Sequence, residues 1–230
     1  MNVALVLSGG IGSRINSEVP KQYVTVNGKM IVIYTLQALC AHEMIDAVHV
    51  VADRAWWEPI LTELPEASKL KGFSRPGENR QLSILNGLMD IRNYADESDV
   101  VFIQDAVRPC VSDTMIRDVL NAVNGHDGAV PVLPLKDTVY FSEDGKSLSD
   151  TIQRSKLLAG QAPEAFVFGK YLASNEALSK EQMLGLSGSA EPALMAGLDV
   201  TTLPGDEKNF KITTNEDLER FRQLMGNEEI

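Results

Sequence analysis

Short runs of apolar residues alternate along the chain with longer segments in which apolar residues recur with the period of a helix. The short runs are typical of strands buried on both faces of a sheet, and they lie at residues 3–7, 48–52, 100–103 and 129–133. The longer segments indicate helices at residues 30–42, 54–64, 79–94 and 112–123. Strands that alternate with helices form right-handed crossovers. The pattern therefore predicts an α/β, Rossmann-like fold with a mostly parallel sheet and helices on both faces.

The pattern changes between residues 136 and 158, where the turn-forming residues 142–145 separate a short apolar stretch from a polar one. This arrangement predicts a β-hairpin that projects from the sheet as an arm. An isolated two-stranded arm is only marginally stable in water. We therefore expect the arm to pack on the same arm of a second subunit, which would make the protein a homodimer.

After the arm, the chain is expected to form helices at residues 170–184 and 191–197, strands at 199–203 and 210–213, and a last helix at 215–225. No internal repeat, low-complexity tract or long linker interrupts residues 1–230. The sequence therefore predicts a single domain with residues 136–158 as its dimerisation arm.

The composition of the chain limits the functions that it can have. Of the 230 residues, 44% are apolar, which is enough for a sizeable core. The 32 acidic and 21 basic residues give a net charge of -11, which argues against a broad surface for nucleic acid, so phosphate chemistry needs locally placed cations. Cys40 and Cys110 are expected to be reduced thiols. The sequence has neither a signal-peptide pattern nor an apolar run of about 20 residues, so we expect a cytoplasmic protein without a membrane partner.

The loop after the first predicted strand combines small residues with cations. Glycine lets a backbone turn tightly and approach a ligand, and successive N–H groups in such a turn form a concavity that binds anions. Arg14 and Lys21 add positive charge within the same excursion of the chain. Transfer of a nucleotidyl group needs such charges, because negative charge spreads over the phosphates in the transition state. The small residues of the loop are Ser8, Gly9, Gly10 and Gly12.

Two other nucleotide-binding motifs do not fit this loop. A P-loop requires a lysine followed by serine or threonine after its last glycine, and that lysine is missing here. A dinucleotide-binding fingerprint requires G-x-G-x-x-G, but Ile15 stands where the last glycine belongs. The loop therefore supports neither an ATPase nor a dehydrogenase.

Six segments, in order, carry a resemblance to a known family. They are SGGIGSRINSEVPKQY from residue 8, GENRQLSILNGL from 77, IQDAVRP from 103, KDTV from 136, TIQRSKLLAGQAP from 151 and FKITTNEDL from 210. Over nearly its whole length the chain resembles the cytidylyltransferases that include the 2-C-methyl-D-erythritol 4-phosphate and ribitol-5-phosphate enzymes. The resemblance implies a nucleotidyltransferase fold, a homodimer with crossing arms, and the use of CTP with Mg²⁺.

The resemblance also implies roles around the nucleotide. Arg14, Lys21 and Lys211 would be the catalytic cations that stabilise the transition state and the triphosphate. The residues that would bind the nucleotide are Ser8, Gly9, Gly10, Gly12, Gly77, Arg80, Ser83 and Ala106.

A second group of implied roles concerns the metal and the acceptor. Asp105 would bind the metal, and a single carboxylate is sufficient because Mg²⁺ keeps waters and bridges phosphates. Arg108, Thr138 and Arg154 would bind the acceptor, the last two from the arm of the neighbouring subunit. The phosphate of the acceptor is itself the nucleophile and is ionised at neutral pH, so no histidine base is needed.

The chain departs from the family pattern in two places. Residues 187–190 read Ser-Gly-Ser-Ala, where the family carries an aspartate. In residues 161–166, Ala162 replaces a threonine and Glu164 replaces a glutamine. Polar groups in a site discriminate strongly between acceptors, so these changes bear on the choice of acceptor.

The favoured function is the formation of a CDP-polyol and pyrophosphate, with 2-C-methyl-D-erythritol 4-phosphate slightly ahead of ribitol 5-phosphate as acceptor. A glycine-rich loop with arginine and lysine also suits a sugar-phosphate nucleotidyltransferase that uses UTP, GTP or ATP. A third alternative is a regulatory protein that binds a nucleotide without catalysis.

Overall fold

A computed structural model describes residues 1–10, 17–64 and 68–226. Within these ranges the main sheet has eight strands, and two further pairs of strands stand apart from it. The strands are β1 Asn2–Leu7, β2 Thr25–Val26, β3 Lys29–Met30, β4 Ala47–Val51, β5 Leu70–Ser74, β6 Val100–Asp105, β7 Gly128–Pro134, β8 Val139–Phe141, β9 Asp150–Ile152, β10 Leu158–Gly160, β11 Glu164–Val167 and β12 Val200–Pro204.

Helices cover both faces of the main sheet, as the sequence predicts. They are α1 Ile31–Ala41, α2 Trp57–Glu63, α3 Arg80–Ile91, α4 Asp113–Ala122, α5 Phe168–Glu176, α6 Lys180–Gly185, α7 Glu191–Met195 and α8 Asn215–Gly226. Alternate residues of a strand point to opposite faces. Accordingly, Val6 and Phe102 pack in a core with α1 and α4, whereas Leu5 and Ile103 pack in a core with α3 and α5.

The parallel part of the sheet has the order β6, β1, β4, β5. β11 joins β6 to β7 by antiparallel pairing, and β12 runs parallel to β7. Leu7 and Asp105 are direct partners at the ends of β1 and β6, so the loops that follow these two strands begin side by side. Ligands of open α/β sheets bind beyond this carboxyl edge.

Two predicted elements are wrong. Residues 210–213 form no strand, although the N–H of Ile212 donates to the carbonyl of Val107 at 2.9 Å, because Ile212 packs instead with α8. The helix predicted over 170–184 is two helices, since α5 ends at Glu176 and Ser179 starts α6 with a capping box. The periodicity also failed to predict β5, β10 and β11 as strands.

The predicted hairpin is present within residues 136–158. β8 and β9 pair with each other and with no strand of the main sheet. Asp144 fixes the turn by accepting hydrogen bonds from the N–H groups of Lys146 at 2.8 Å and Ser147 at 2.7 Å. Tyr140 and Phe141 are about half exposed, which is unusual for large aromatic side chains.

No helix in the described ranges has the length and apolar character needed to cross a membrane.

The packing of α3 on the sheet yields a stability prediction. Leu88 of α3 is fully buried, whereas Leu224 of α8 is 42% exposed. We expect Leu88→Ala to lower the free energy of unfolding by about 2–5 kcal/mol, because it removes buried contacts and leaves a cavity. The matched exposed change, Leu224→Ala, should cost no more than about 0.5 kcal/mol. Urea denaturation measures both, and equal effects would contradict the described burial of α3.

Candidate active site

A cavity of about 430 Å³ opens at the carboxyl edge of the sheet, beyond β1 and β6. Many of the predicted site residues line it, namely Gly9, Gly10, Lys21, Gly77, Arg80, Ser83, Asp105 and Lys211. The sequence interpretation missed three polar residues that also line it, Gln22, Glu78 and Asn79. Gly12 and Arg14 lie outside the described residues. Residues far apart in the chain therefore meet at the edge that the strand pattern predicted.

The first wall of the cavity begins where β1 ends. The N–H of Ser8 donates to the carbonyl of Val51 at 2.8 Å, which continues the parallel ladder by one step. The Ser8 hydroxyl donates to the Tyr23 hydroxyl at 3.0 Å and is buried, so it does not face the cavity. A Cβ on Gly9 would lie 2.4 Å from the Cβ of Pro76. Only glycine lets these two segments approach so closely.

Gln22 and Tyr23, which follow Lys21, hydrogen-bond to this wall. The Gln22 side-chain amide donates to the carbonyls of Ser8 and Gly10, each at 2.7 Å. The Tyr23 hydroxyl donates to the Ser8 carbonyl at 2.8 Å, and its ring stacks on Trp56 with 3.8 Å between centroids. Burial raises the pKa of the Tyr23 hydroxyl to about 12, so it remains a donor at neutral pH. Gln22 directly follows Lys21 in the sequence, but neither its residue type nor its position indicates that its side chain supports this wall.

The second wall is the start of α3. A Cβ on Gly77 would lie 2.4 Å from the Cβ of Leu82, so this position also requires glycine. The Gly77 N–H donates to the Ser83 hydroxyl at 3.0 Å. The Asn79 side chain caps α3 by accepting from the Leu82 N–H at 2.9 Å, and its amide donates to the Met183 carbonyl of α6 at 2.8 Å. The positive end of α3 therefore lies at the cavity.

Asp105 is the centre of the charge arrangement. Its Oδ1 receives Arg80 Nη2 at 3.2 Å, and its Oδ2 receives Arg108 Nε at 3.3 Å and Lys211 Nζ at 3.0 Å. Burial alone would raise the pKa of the Asp105 carboxyl, but Arg80, Lys211 and Arg108 together lower it well below its usual range. One ionised carboxylate thus gathers three cations, and a surplus of positive charge remains at the cavity of an acidic chain.

Glu164 is a second buried carboxylate near Arg80. It lies on β11 opposite Ile103 of β6, and the Ser189 hydroxyl donates to it. Burial raises the pKa of the Glu164 carboxyl, while the charge of Arg80 opposes that shift. The Tyr171 hydroxyl donates to the Ser189 carbonyl at 2.7 Å. The two departures from the family pattern, at Glu164 and in residues 187–190, are therefore in direct contact.

The other predicted residues do not line the cavity. Ala106 is buried, and its carbonyl accepts from the Thr35 hydroxyl at 3.0 Å. Arg108 contacts Asp105 and donates through Nη1 to the Asn209 carbonyl at 2.7 Å. Thr138 and Arg154 are exposed on the arm segment, where Arg154 donates to the Lys136 carbonyl. Arg108 therefore contacts the site by way of Asp105, whereas Thr138 and Arg154 of the arm do not line the cavity.

Comparison with known proteins agrees with this geometry. The family model of 2-C-methyl-D-erythritol 4-phosphate cytidylyltransferase matches residues 2–227. The chain is 33% identical to a ribitol-5-phosphate cytidylyltransferase of Lacticaseibacillus paracasei, with all of both chains covered. It is 34% identical to a 2-C-methyl-D-erythritol 4-phosphate cytidylyltransferase of Geobacter metallireducens, with 94% of this chain and 93% of the relative covered.

Solved structures of the family share the fold. The 2-C-methyl-D-erythritol 4-phosphate cytidylyltransferase of Francisella tularensis superposes with a TM-score of 0.83 at 25% identity, over 96% of this chain and 98% of that chain. The Thermus thermophilus protein of the same description gives 0.75 at 24% identity, over 96% and 97% of the two chains. The predicted α/β architecture is confirmed. The chain belongs to the 2-C-methyl-D-erythritol 4-phosphate cytidylyltransferase family and is a nucleotidyltransferase.

Proposed function

We propose that this protein transfers the CMP group of CTP to 2-C-methyl-D-erythritol 4-phosphate, giving a CDP-polyol and pyrophosphate. The observation that carries the proposal is the cluster of Arg80, Arg108 and Lys211 around Asp105 at the wall of the cavity. The substrates of this reaction are strongly anionic, and an acidic chain can attract them only where cations are concentrated.

The chemistry requires little beyond positioning and charge. A phosphate oxygen of the acceptor attacks the α-phosphorus of CTP, the bond to the β-phosphate oxygen breaks, and pyrophosphate leaves. The attacking oxygen is already ionised at neutral pH. Lys21 and Lys211, which both line the cavity, would stabilise the charge that develops on the phosphates, together with Arg14. This assignment agrees with the absence of histidine from the described lining of the cavity.

Magnesium is part of the proposal. Mg²⁺ prefers oxygen ligands and is commonly held by one or two carboxylates together with substrate phosphates. Asp105 is ionised and lines the cavity, so its donor chemistry fits this role. Within the described ranges, no group of three or more acidic, histidine or cysteine side chains forms a metal site of its own. When bound, the ion would neutralise charge on the phosphates.

Ribitol 5-phosphate is the second candidate acceptor. It is favoured by the ribitol-5-phosphate relative, whose alignment covers all of both chains, whereas the methylerythritol acceptor is favoured by the family model. Glu164 and Ser189, which distinguish this chain from the family pattern, contact each other behind Arg80. We propose that these residues influence which polyol phosphate is accepted.

We further propose that the protein is a homodimer in which the arm completes the site of the partner. Thr138 and Arg154 lie away from the cavity of their own chain, which supports a role in a neighbouring subunit. The arm also exposes apolar side chains that a second arm could cover, namely Tyr140, Phe141, Leu148 and Ile152.

A panel of substrates tests the proposed reaction. Pyrophosphate release is measured with CTP, UTP, GTP or ATP, each with methylerythritol 4-phosphate or ribitol 5-phosphate and with Mg²⁺. We expect CTP to exceed the other nucleotides by at least about tenfold, because the base must satisfy polar groups of the site. Equal rates with UTP would contradict cytidine specificity. Activity with ribitol 5-phosphate alone would replace the proposed acceptor with the second candidate.

Lys21 provides a test of the catalytic assignment. We expect Lys21→Ala to lower turnover by about 10² or more while CTP binding stays within about tenfold, because the cation acts mainly on charge that develops in the transition state. Lys29→Ala is the matched control, since Lys29 is an exposed lysine that contacts Gln37. Unchanged turnover in Lys21→Ala would show that the assignment is wrong.

Mixed dimers test the contribution of the arm. Arg154→Ala and Lys21→Ala should each be weakly active alone, because each lacks one residue in every site. If the arm serves the partner, a mixed dimer has one complete site, and random mixing should restore about a quarter of the wild-type activity. No recovery after confirmed subunit exchange would exclude the cross-subunit arrangement.

A further inference from the structure

Gln22 lines the cavity, and its buried side-chain amide hydrogen-bonds to the wall formed by residues 8–10. Only 3% of Gln22 is exposed. Its Nε2 donates to two carbonyl oxygens of that wall, those of Ser8 and Gly10, each at 2.7 Å. An amide group carries two N–H donors, so this pair of hydrogen bonds uses its full donor capacity. A glutamine in this place therefore acts on two peptide groups at once.

The orientation of those peptide groups matters for a ligand with phosphates. A turn attracts anions when its N–H groups face the ligand, whereas carbonyl oxygens carry partial negative charge and repel phosphates. Among the described residues, no atom lies within 4 Å of the position that a Cβ on Gly10 would occupy, so none of these contacts fixes Gly10 sterically. Glycine also has wide backbone freedom. In the part of the chain that the structure describes, the hydrogen bond from Gln22 is therefore what orients the Gly10 carbonyl.

Tyr23 provides an internal comparison. Its hydroxyl donates to the carbonyl of Ser8 at 2.8 Å, so Ser8 has two donors from this segment. The Gly10 carbonyl accepts from Gln22, and in the sequence Gly10 precedes the segment that contains Gly12 and Arg14. Both neighbouring side chains therefore donate to the Ser8 carbonyl, but of the two only Gln22 also donates to the Gly10 carbonyl.

We propose that Gln22 is a positioning residue for the nucleotide phosphates. The Gln22 amide donates to the carbonyl oxygens of Ser8 and Gly10 and so holds these acceptors away from the triphosphate. The wall can then offer its backbone N–H groups to the phosphates. It also follows Lys21 directly, so the same hydrogen bonds anchor the backbone from which the Lys21 side chain enters the cavity. This inference rests on the proposed function, but only on its use of a triphosphate and not on cytidine or the acceptor.

The test compares a neutral variant with a matched control. Gln22→Met keeps the length and neutrality of the side chain and removes both donors. Tyr23→Phe removes the donor to the Ser8 carbonyl and the acceptor of the Ser8 hydroxyl, but leaves the hydrogen bond to Gly10 in place. Dissociation constants are measured by calorimetry for tripolyphosphate, CTP and cytidine, and thermal unfolding reports stability. We expect Gln22→Met to weaken binding of tripolyphosphate and CTP by at least about tenfold, with cytidine within about threefold. Tyr23→Phe should stay within about threefold for all three ligands.

Gln22→Asn is the second variant, because Gln22→Met could fail to fold. Its side chain is one methylene shorter and cannot reach both carbonyls, so the same selective loss is expected. A purely structural role would lower stability and weaken all ligands alike, or would leave tripolyphosphate binding unchanged, and either result overturns the inference. If the wild-type chain binds tripolyphosphate but does not use CTP, the proposed cytidine chemistry fails and this inference stands on the variant data. If it binds neither CTP nor tripolyphosphate, both fail.

Discussion

The pairing of one buried carboxylate with three cations holds the site together. Arg80 begins α3, Arg108 lies in the turn after β6, and Lys211 comes from the segment before α8, yet all three contact Asp105. Removing a charge from water is costly unless opposite charges are close, so each of these side chains depends on the others. The cluster therefore fixes the relative position of three chain segments and leaves an excess of positive charge where anionic substrates would enter.

Much of the fold could be predicted from the sequence, because the helices and strands that form the cores have a strong periodic pattern of apolar residues. The errors have physical reasons. Phe210 and Ile212 alternate with polar residues as in a strand, but Ile212 is buried against α8. β11 contains Glu164, a charged residue in a short segment, and its neighbours β6 and β7 bury it. Such burial depends on tertiary contacts that local patterns do not report.

The candidate site could be predicted from the sequence only in part. Glycines and cations in the loop after β1 predicted phosphate chemistry, and the family resemblance supplied the partners from α3 and β6. Hydrogen bonds from Gln22 and Asn79 were missed, because glutamine and asparagine carry no signal that separates a support from a surface residue. The contact between Glu164 and Ser189 was also missed. Two separate departures in the sequence are thus a single feature of the folded chain, and they have to be interpreted together when acceptors are compared.

The close approach of Gly9 to Pro76 has a consequence for the evolution of the site. A side chain at position 9 would overlap the proline ring, at 2.4 Å from its Cβ. A larger residue at position 9 is tolerated only after the backbone or the residue at position 76 has changed. With Pro76 in place, a substitution of Gly9 alone is unfavourable. The two positions are therefore expected to vary together among descendants of this chain, so their covariation would record how the mouth of the cavity has been reshaped.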